Sequence, residues 1–223
     1  KWHLGDCYPL RPIDQGFDDA LVHRGGGIAQ PSEPPENERR YTDPILFRNG
    51  AQVETEGYCT DVYFDAALGF IDASRVAERP FFAYVATNAP HDPYHDVPPG
   101  LYEKYMALDM KAAVAGKSDK LDREARICAM VENIDQNVGR LLAYLERNGL
   151  AKTTIVCFLN DNGPVWGRFS RGLRGFKTEV YEGGIRAPLF VRWPGELDPS
   201  NRVDPLAAHI DLFPTLLELC GVA

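Results

Sequence analysis

Four stretches of the sequence put reactive groups at short, fixed spacing. Asp161 and Asn162 stand side by side in Asn160-Asp161-Asn162-Gly163-Pro164. A carboxylate and a carboxamide oxygen held on a turn suit a hard cation, Ca²⁺ or Mg²⁺. The alternative is that Asn-Asp-Asn-Gly is turn chemistry and nothing more. Two ligands also fall short of the roughly six to eight oxygens that Ca²⁺ takes. His91 follows Asn88-Ala89-Pro90. An imidazole there can meet an anion or deliver a proton near neutral pH. The plain alternative is a histidine on a surface loop, and His95, four residues on, is a second candidate.

Lys177 lies in GLRGFKTEVYEGGIRAP, where glycines allow the backbone close to a ligand. Its ammonium would serve as a point charge for an oxyanion; otherwise it is a solvated charge on a loop. Lys1 and His3 flank Trp2. In an extended segment, residues two apart project from one face, which would turn both tips into one pocket. The competing reading is a frayed terminus.

The elements that must position these residues are legible in the hydrophobic pattern. Thr60 is expected to cap a helix running to about Ser74. FFAYVA, residues 81–86, reads as a buried strand that ends in the loop TNAPHDPYHDVPP. Residues 123–148 predict the clearest helix. Ile127, Val131, Ile134, Val138, Leu141 and Leu145 form one stripe, and Gly149 is the stop. TTIVCFL, residues 153–159, is a continuous apolar run of the kind buried on both faces of a parallel sheet. PLFVRW, residues 188–193, is a further strand. DLFPTLLEL follows as a helix with Asp211 as N-cap and Pro214 in the first turn. Residues 25–50, with GGG and PSEPP, read as long irregular loop. Alternation of strand and helix predicts an α/β protein with a mainly parallel sheet. In such sheets ligands sit beyond the carboxyl ends of strands, which selects the NAPH and NDNG segments together.

The 223 residues suffice for one large domain or two small ones, with 44% hydrophobic and 25% charged residues. A net charge of −8 disfavours a nucleic-acid partner, so none is expected. No apolar run approaches the roughly 20 residues that span a bilayer. No signal peptide or initiator Met is visible, and the N-terminus reads as a cut edge. The five cysteines, Cys7, Cys59, Cys128, Cys157 and Cys220, form no CxxC pair, which disfavours a disulfide framework or a zinc site. Cys157 and Cys220 are expected in the core. No Asn-x-Ser/Thr sequon occurs.

Taken together, these stretches resemble the sulfatases of the alkaline-phosphatase-like superfamily. The matching segments are KWHLG at 1–5, GYCTDVYFDAALGFI at 57–71, TNAPH at 87–91 and MVENIDQNVGRLLAYLERNGL at 130–150. They continue with LNDNGP at 159–164, GFKTEVYEGGIRAPLFVRWPG at 175–195 and HIDLFPTLLELCGV at 209–222. The order is that of the family along nearly the whole chain, and the loop at 25–50 is similar to the arylsulfatase A-type bacterial branch. The resemblance implies an alkaline-phosphatase-like fold, with a mainly parallel central sheet flanked by helices. It implies hydrolysis of a sulfate ester, either an aryl sulfate or a sulfated carbohydrate. Lys1 would bind the sulfate and steady the nucleophile, and His3 would hydrogen-bond that nucleophile. His91 would contact the sulfate or protonate the leaving alcohol. Lys177 would bridge sulfate and leaving oxygen, and Asp161 and Asn162 would be half of a Ca²⁺ site. Preplaced cations of this kind stabilise the charge that builds on sulfuryl oxygens and a departing alkoxide.

In the family the nucleophile is a formylglycine made within Cys/Ser-x-Pro-Ser/Ala-Arg, upstream of KWHLG, together with two aspartates of the Ca²⁺ shell. Cys7-Tyr8-Pro9-Leu10-Arg11 fits the short form but follows KWHLG, carries Leu after Pro, and lacks the family's continuation. Cys7 is therefore not taken as the nucleophile, nor Asp18-Asp19 as the upstream pair. The expectation is that residues 1–223 are a partial sulfatase catalytic domain, close to inactive alone, incomplete at the N-terminus and without the C-terminal subdomain. Export to a bacterial periplasm or beyond follows from the family, and five unpaired cysteines sit uneasily with it. Two rivals remain: a phosphatase or phosphodiesterase of the same superfamily, and a non-catalytic module that binds sulfated glycans. A lone Asp-Asn pair followed by a glycine-rich Lys loop favours sulfate.

Overall fold

Hydrophobic periodicity between residues 57 and 148 produces two long helices. They belong to the first of two compact units, Lys1–Gly149 and Leu150–Ala223. The computed structural model of the chain describes residues 1–110, 120–167 and 170–222.

In the first unit, β1 (Leu21–Val22), β2 (Leu46–Arg48) and β3 (Ala51–Val53) form a small antiparallel sheet in that order. Helix α1 (Cys59–Val76) follows, then α2 (Pro99–Ala107) and α3 (Leu121–Arg147). Helix α1 is capped at Tyr58, two residues before the expected Thr60. It buries Cys59, Thr60, Tyr63, Phe64, Ile71 and Ser74, a stripe at helical spacing. Burial pushes the Cys59 thiol up to about 12, so it stays neutral and unreactive at physiological pH. The core joins this stripe to Ile28, Tyr41, Leu46, Tyr58, Ala129 and Met130, with the Tyr41 and Tyr58 rings stacked at 5.6 Å.

The buried face of α3 differs from the expected stripe. Val131 is exposed, while Asn133 and Asn137 are buried beside Ile127, Met130 and Leu145. The reason is polar. Asp61 of α1 accepts the side-chain amides of Asn133 (2.9 Å) and Asn137 (2.6 Å), and the Asn137 Oδ1 accepts from Arg140 at 2.7 Å, so the amide donors enter the interface paired while the Asn133 Oδ1 is buried without a partner. Asp61→Ala strips both of their acceptor and is expected to cost about 2–4 kcal/mol in chemical denaturation. Asp65→Ala removes only a surface partner of Arg140 and should change stability by less than about 1 kcal/mol.

In the second unit, β4 (Val156–Leu159) pairs antiparallel with β5 (Leu189–Arg192), with α4 (Glu182–Ile185) between them and α5 (Leu212–Leu219) after them. Asp211 occupies the N-cap position of α5, and its carboxylate accepts the Ala208 N–H at 2.7 Å.

The mainly parallel sheet is not formed among the described residues: every described strand pair is antiparallel. The segment 81–86 joins no strand ladder, and its Phe82 and Tyr84 are exposed. The run 153–159 starts as a 3-10 turn, and its strand residues are half-buried or exposed rather than covered on both faces. A continuous apolar run reports a demand for burial, not a partner or a direction. Cys157 is half-buried and Cys220 exposed, so neither is a core residue, and all five cysteines are free. Residues 25–50 are mostly irregular, as expected, apart from a 3-10 turn at Pro35–Asn37 and β2, and they are well packed. Ile28, Glu33, Asn37, Tyr41, Leu46 and Phe47 are buried there. No described helix is long and apolar enough to cross a membrane.

Candidate active site

In the first unit, the loop that carries His91 is fixed to Tyr41 and Thr42 through Asp96 and Asn88. Asp96 accepts the Tyr41 N–H (2.6 Å), the Thr42 N–H (2.7 Å) and the Thr42 hydroxyl (2.9 Å). Tyr41 is fully buried. Its hydroxyl donates to the His91 carbonyl at 2.8 Å and accepts the Asn88 amide at 2.5 Å. Burial drives the Tyr41 phenol upward, so it remains a neutral donor. Asn88 is buried too, and its Oδ1 has no hydrogen-bond partner. The His91 ring places Nδ1 at 2.8 Å from both the carbonyl and the Oδ1 of Asp92. Those acceptors favour the proton on Nδ1, with Nε2 as the other ring nitrogen.

The glycines at 25–27 bring His3 to the same place. The Gly25 N–H reaches both oxygens of Asp6 at 3.0 Å, and the Gly26 N–H reaches Gln30 Oε1 at 3.2 Å. A Cβ on Gly26 would lie 2.3 Å from His3 Nε2. One on Gly27 would lie 3.1 Å from Asn88 Oδ1 and 3.8 Å from His91 Nδ1. Two consecutive residues therefore back onto His3 on one side and Asn88 and His91 on the other. Adjacent α-carbons are about 3.8 Å apart, so the two imidazoles flank the same dipeptide. His3 itself has φ 58°, in the left-handed region. The expected extended geometry, with Lys1 and His3 sharing a face, does not apply at His3; its ring is placed by Gly26.

Lys1 is tied to the same segment by its main-chain nitrogen, which donates to the Ala86 carbonyl, two residues before Asn88. It also lines a largely apolar cleft of about 250 Å³ between α1 and residues 80–86, whose walls do not include His3 or His91. Cys7 lies in an exposed turn closed by the Leu10 N–H on the Cys7 carbonyl at 2.8 Å.

The second unit gathers the other three candidates on one loop system. The turn after β4 is locked to residues 174–185 by backbone bonds. Gly163 N–H donates to Gly184 O (2.8 Å), Lys177 N–H to Pro164 O (3.0 Å) and Gly183 N–H to Arg174 O (2.7 Å). A Cβ on Gly163 would lie 1.9 Å from the Gly183 carbonyl oxygen, and one on Gly183 2.2 Å from that of Gly175. Only glycine permits this backbone-to-backbone packing. Lys177 is thereby joined through its main chain to the turn that holds Asp161 and Asn162. Asn162 Nδ2 donates to the Gly163 carbonyl at 2.9 Å. Asp161 is exposed and has no hydrogen-bond or ion-pair partner among the described residues. The donor set, one carboxylate and one carboxamide oxygen, fits a hard divalent cation in kind. In number it is two oxygens, and no cluster of three or more His, Cys, Asp or Glu with metal-site geometry exists among the described residues.

The sulfatase family model matches residues 1–222. An uncharacterised sulfatase, YdeN, of Escherichia coli K12 is 31% identical over 216 residues, covering 96% of this chain and 35% of the relative. The N-acetylgalactosamine-6-sulfatase of Canis lupus familiaris is 32% identical, covering 100% of this chain and 42% of the relative. Among solved structures, Ps i-CgsB in complex with k-i-k-neocarrahexaose superposes with a TM-score of 0.83 at 26% identity, covering 100% of this chain and 49% of that one. The chain belongs to the sulfatase family, and its α/β fold is the alkaline-phosphatase-like fold of these neighbours. It spans between a third and a half of the length of the curated relatives it matches.

Residue types after the expected strands point to His91, Asp161 and Asn162, and a glycine-rich loop points to Lys177. The pattern says less about Tyr41, Asp96 and Gly26-Gly27, which hold the histidines. Three glycines in a row, immediately before the buried Ile28, were the available signal of a close backbone approach.

Proposed function

We propose that the full-length protein hydrolyses a sulfate ester of a carbohydrate or small aryl alcohol. The observation that carries this reading is the convergence of His3, Asn88 and His91 on Gly26-Gly27 in a chain of the sulfatase family. The names of relatives that act on, or are bound to, sulfated sugars favour a carbohydrate. Residues 1–223 are then part of the catalytic domain of an exported enzyme.

Lys1 and Lys177 supply cationic charge to the sulfuryl oxygens, where charge accumulates as the ester bond breaks. His3 hydrogen-bonds the attacking group. His91, its tautomer fixed by Asp92, presents Nε2 to the leaving oxygen and, when protonated, donates the proton that turns an alkoxide into an alcohol. Asp161 and the Asn162 Oδ1 would hold a Ca²⁺ or Mg²⁺ ion, which when bound polarises sulfate oxygens as a Lewis acid. A formylglycine, as the resemblance implies, would supply the nucleophilic hydroxyl.

The role of His91 has a kinetic signature. A sugar alkoxide needs the proton and a nitrophenolate does not. His91→Ala should therefore slow hydrolysis of a sugar sulfate by about 10²- to 10⁴-fold and that of 4-nitrophenyl sulfate far less. Equal losses on both substrates would remove His91 as the proton donor.

A further inference from the structure

We propose that the small cleft beside residues 22–24 is an oxyanion subsite, with Arg24 as its cation, for a second anionic substituent of the saccharide. The inference rests on the sulfatase reading above. The cleft has a volume of about 60 Å³, and its walls include Trp2, Asp6, Arg11, Arg24 and Phe47. A water needs about 10–15 Å³ of such space, so the cleft has room for a sulfate or carboxylate group but not a sugar ring.

Most of the charges around it are already engaged. Arg11 binds Asp14 through two N–H groups, at 2.8 and 2.9 Å. Asp6, the one carboxylate in the wall, accepts the Gly25 N–H with both oxygens at 3.0 Å. Arg24 pairs with no carboxylate among the described residues. Its guanidinium carbon lies 3.8 Å from the centroid of the Phe47 ring, and Phe47 is buried on β2. Stacking occupies the face of the guanidinium and leaves its in-plane N–H fork for a planar or tetrahedral oxyanion. The backbone beneath is equally fixed, because the Arg24 carbonyl accepts His23 Nδ1 at 2.9 Å.

The position relative to the reacting centre follows from the chain. Arg24 precedes by two residues the glycine on which the His3 ring rests. Two residues span at most about 7 Å. A saccharide whose ester sits at His3 and His91 thus brings its neighbouring substituents within reach of Arg24. The same guanidinium could instead hold free inorganic sulfate.

Calorimetric titration of the full-length protein separates these cases at constant ionic strength. The probes are N-acetylgalactosamine 6-sulfate, its 4,6-disulfate, and sodium sulfate. The disulfate should bind about tenfold more tightly than the monosulfate. Arg24→Ala should bring that ratio to within about twofold of one, and Arg24→Lys, without the planar fork, to an intermediate value. Arg79→Ala, an exposed charge elsewhere, should leave the ratio unchanged. If Arg24→Ala instead weakens sodium sulfate alone, the oxyanion site stands with the free ion as its ligand. If Arg24→Ala alters neither, the subsite is overturned. Absence of sulfate release by the wild-type protein from both the monosulfate and 4-nitrophenyl sulfate would refute the sulfatase reading separately, since the binding ratios do not depend on turnover.

Discussion

Gly26→Val is expected to lower turnover of a sulfate ester by the full-length protein at least about 100-fold while leaving it folded, because a displacement of about 1 Å in a reacting group costs that much. A Cβ at this position would sit 2.3, 2.6 and 2.9 Å from His3 Nε2, Cε1 and Cδ2. These distances are below any real contact, so the imidazole must move. Gly26 does not occupy the left-handed region, so the new side chain brings no backbone strain of its own. The loss should therefore appear in kcat/KM more than in the melting temperature. Gly69→Ala, at an open position of α1, is the matched control and should be neutral or slightly stabilising. A double-mutant cycle sharpens the reading: in a His3→Ala background, Gly26→Val should add almost nothing. Additive losses would mean that Gly26 acts through something other than His3.

Gly163→Ala should have the second-largest effect, and through a different group. Its Cβ would overlap the carbonyl oxygen of Gly183 at 1.9 Å, a backbone atom that no rotamer change can clear. The turn bearing Asp161 and Asn162 must then separate from the loop bearing Lys177, and the Gly163–Gly184 and Lys177–Pro164 backbone bonds are lost with it. Apparent Ca²⁺ affinity, read from the rise in melting temperature with added Ca²⁺, should fall at least about tenfold, since stabilisation by a bound ion scales with its concentration over Kd. An unchanged Ca²⁺ titration in a folded Gly163→Ala protein would detach this turn from cation binding.

The helices were legible because burial of a helix face leaves a 3.6-residue period that survives in the sequence: α1 and α3 lie within two residues of their expected bounds. What the period missed on α3 was its polar part. Asn133 and Asn137 lie off the expected apolar stripe, and their side-chain amides are buried against Asp61 of another helix. The strands were harder. FFAYVA and TTIVCFL have the composition of buried strands, but pairing is a property of two segments, and one segment's composition names neither its partner nor its direction. The site divides the same way. Candidates for chemistry are visible by residue type, as His91, Asp161 and Lys177 are. Groups that only hold them in place, such as Tyr41 beneath the His91 carbonyl or Gly26 beneath the His3 ring, acquire meaning only with their partner in view.

The most direct test is to offer 4-nitrophenyl sulfate and 4-nitrophenyl phosphate in parallel to the full-length protein with Ca²⁺, and to its Lys177→Ala variant. Sulfatase chemistry predicts release from the sulfate ester, little from the phosphate, and a fall of at least about 100-fold on removing Lys177. Efficient cleavage of the phosphate with the sulfate left intact would contradict it.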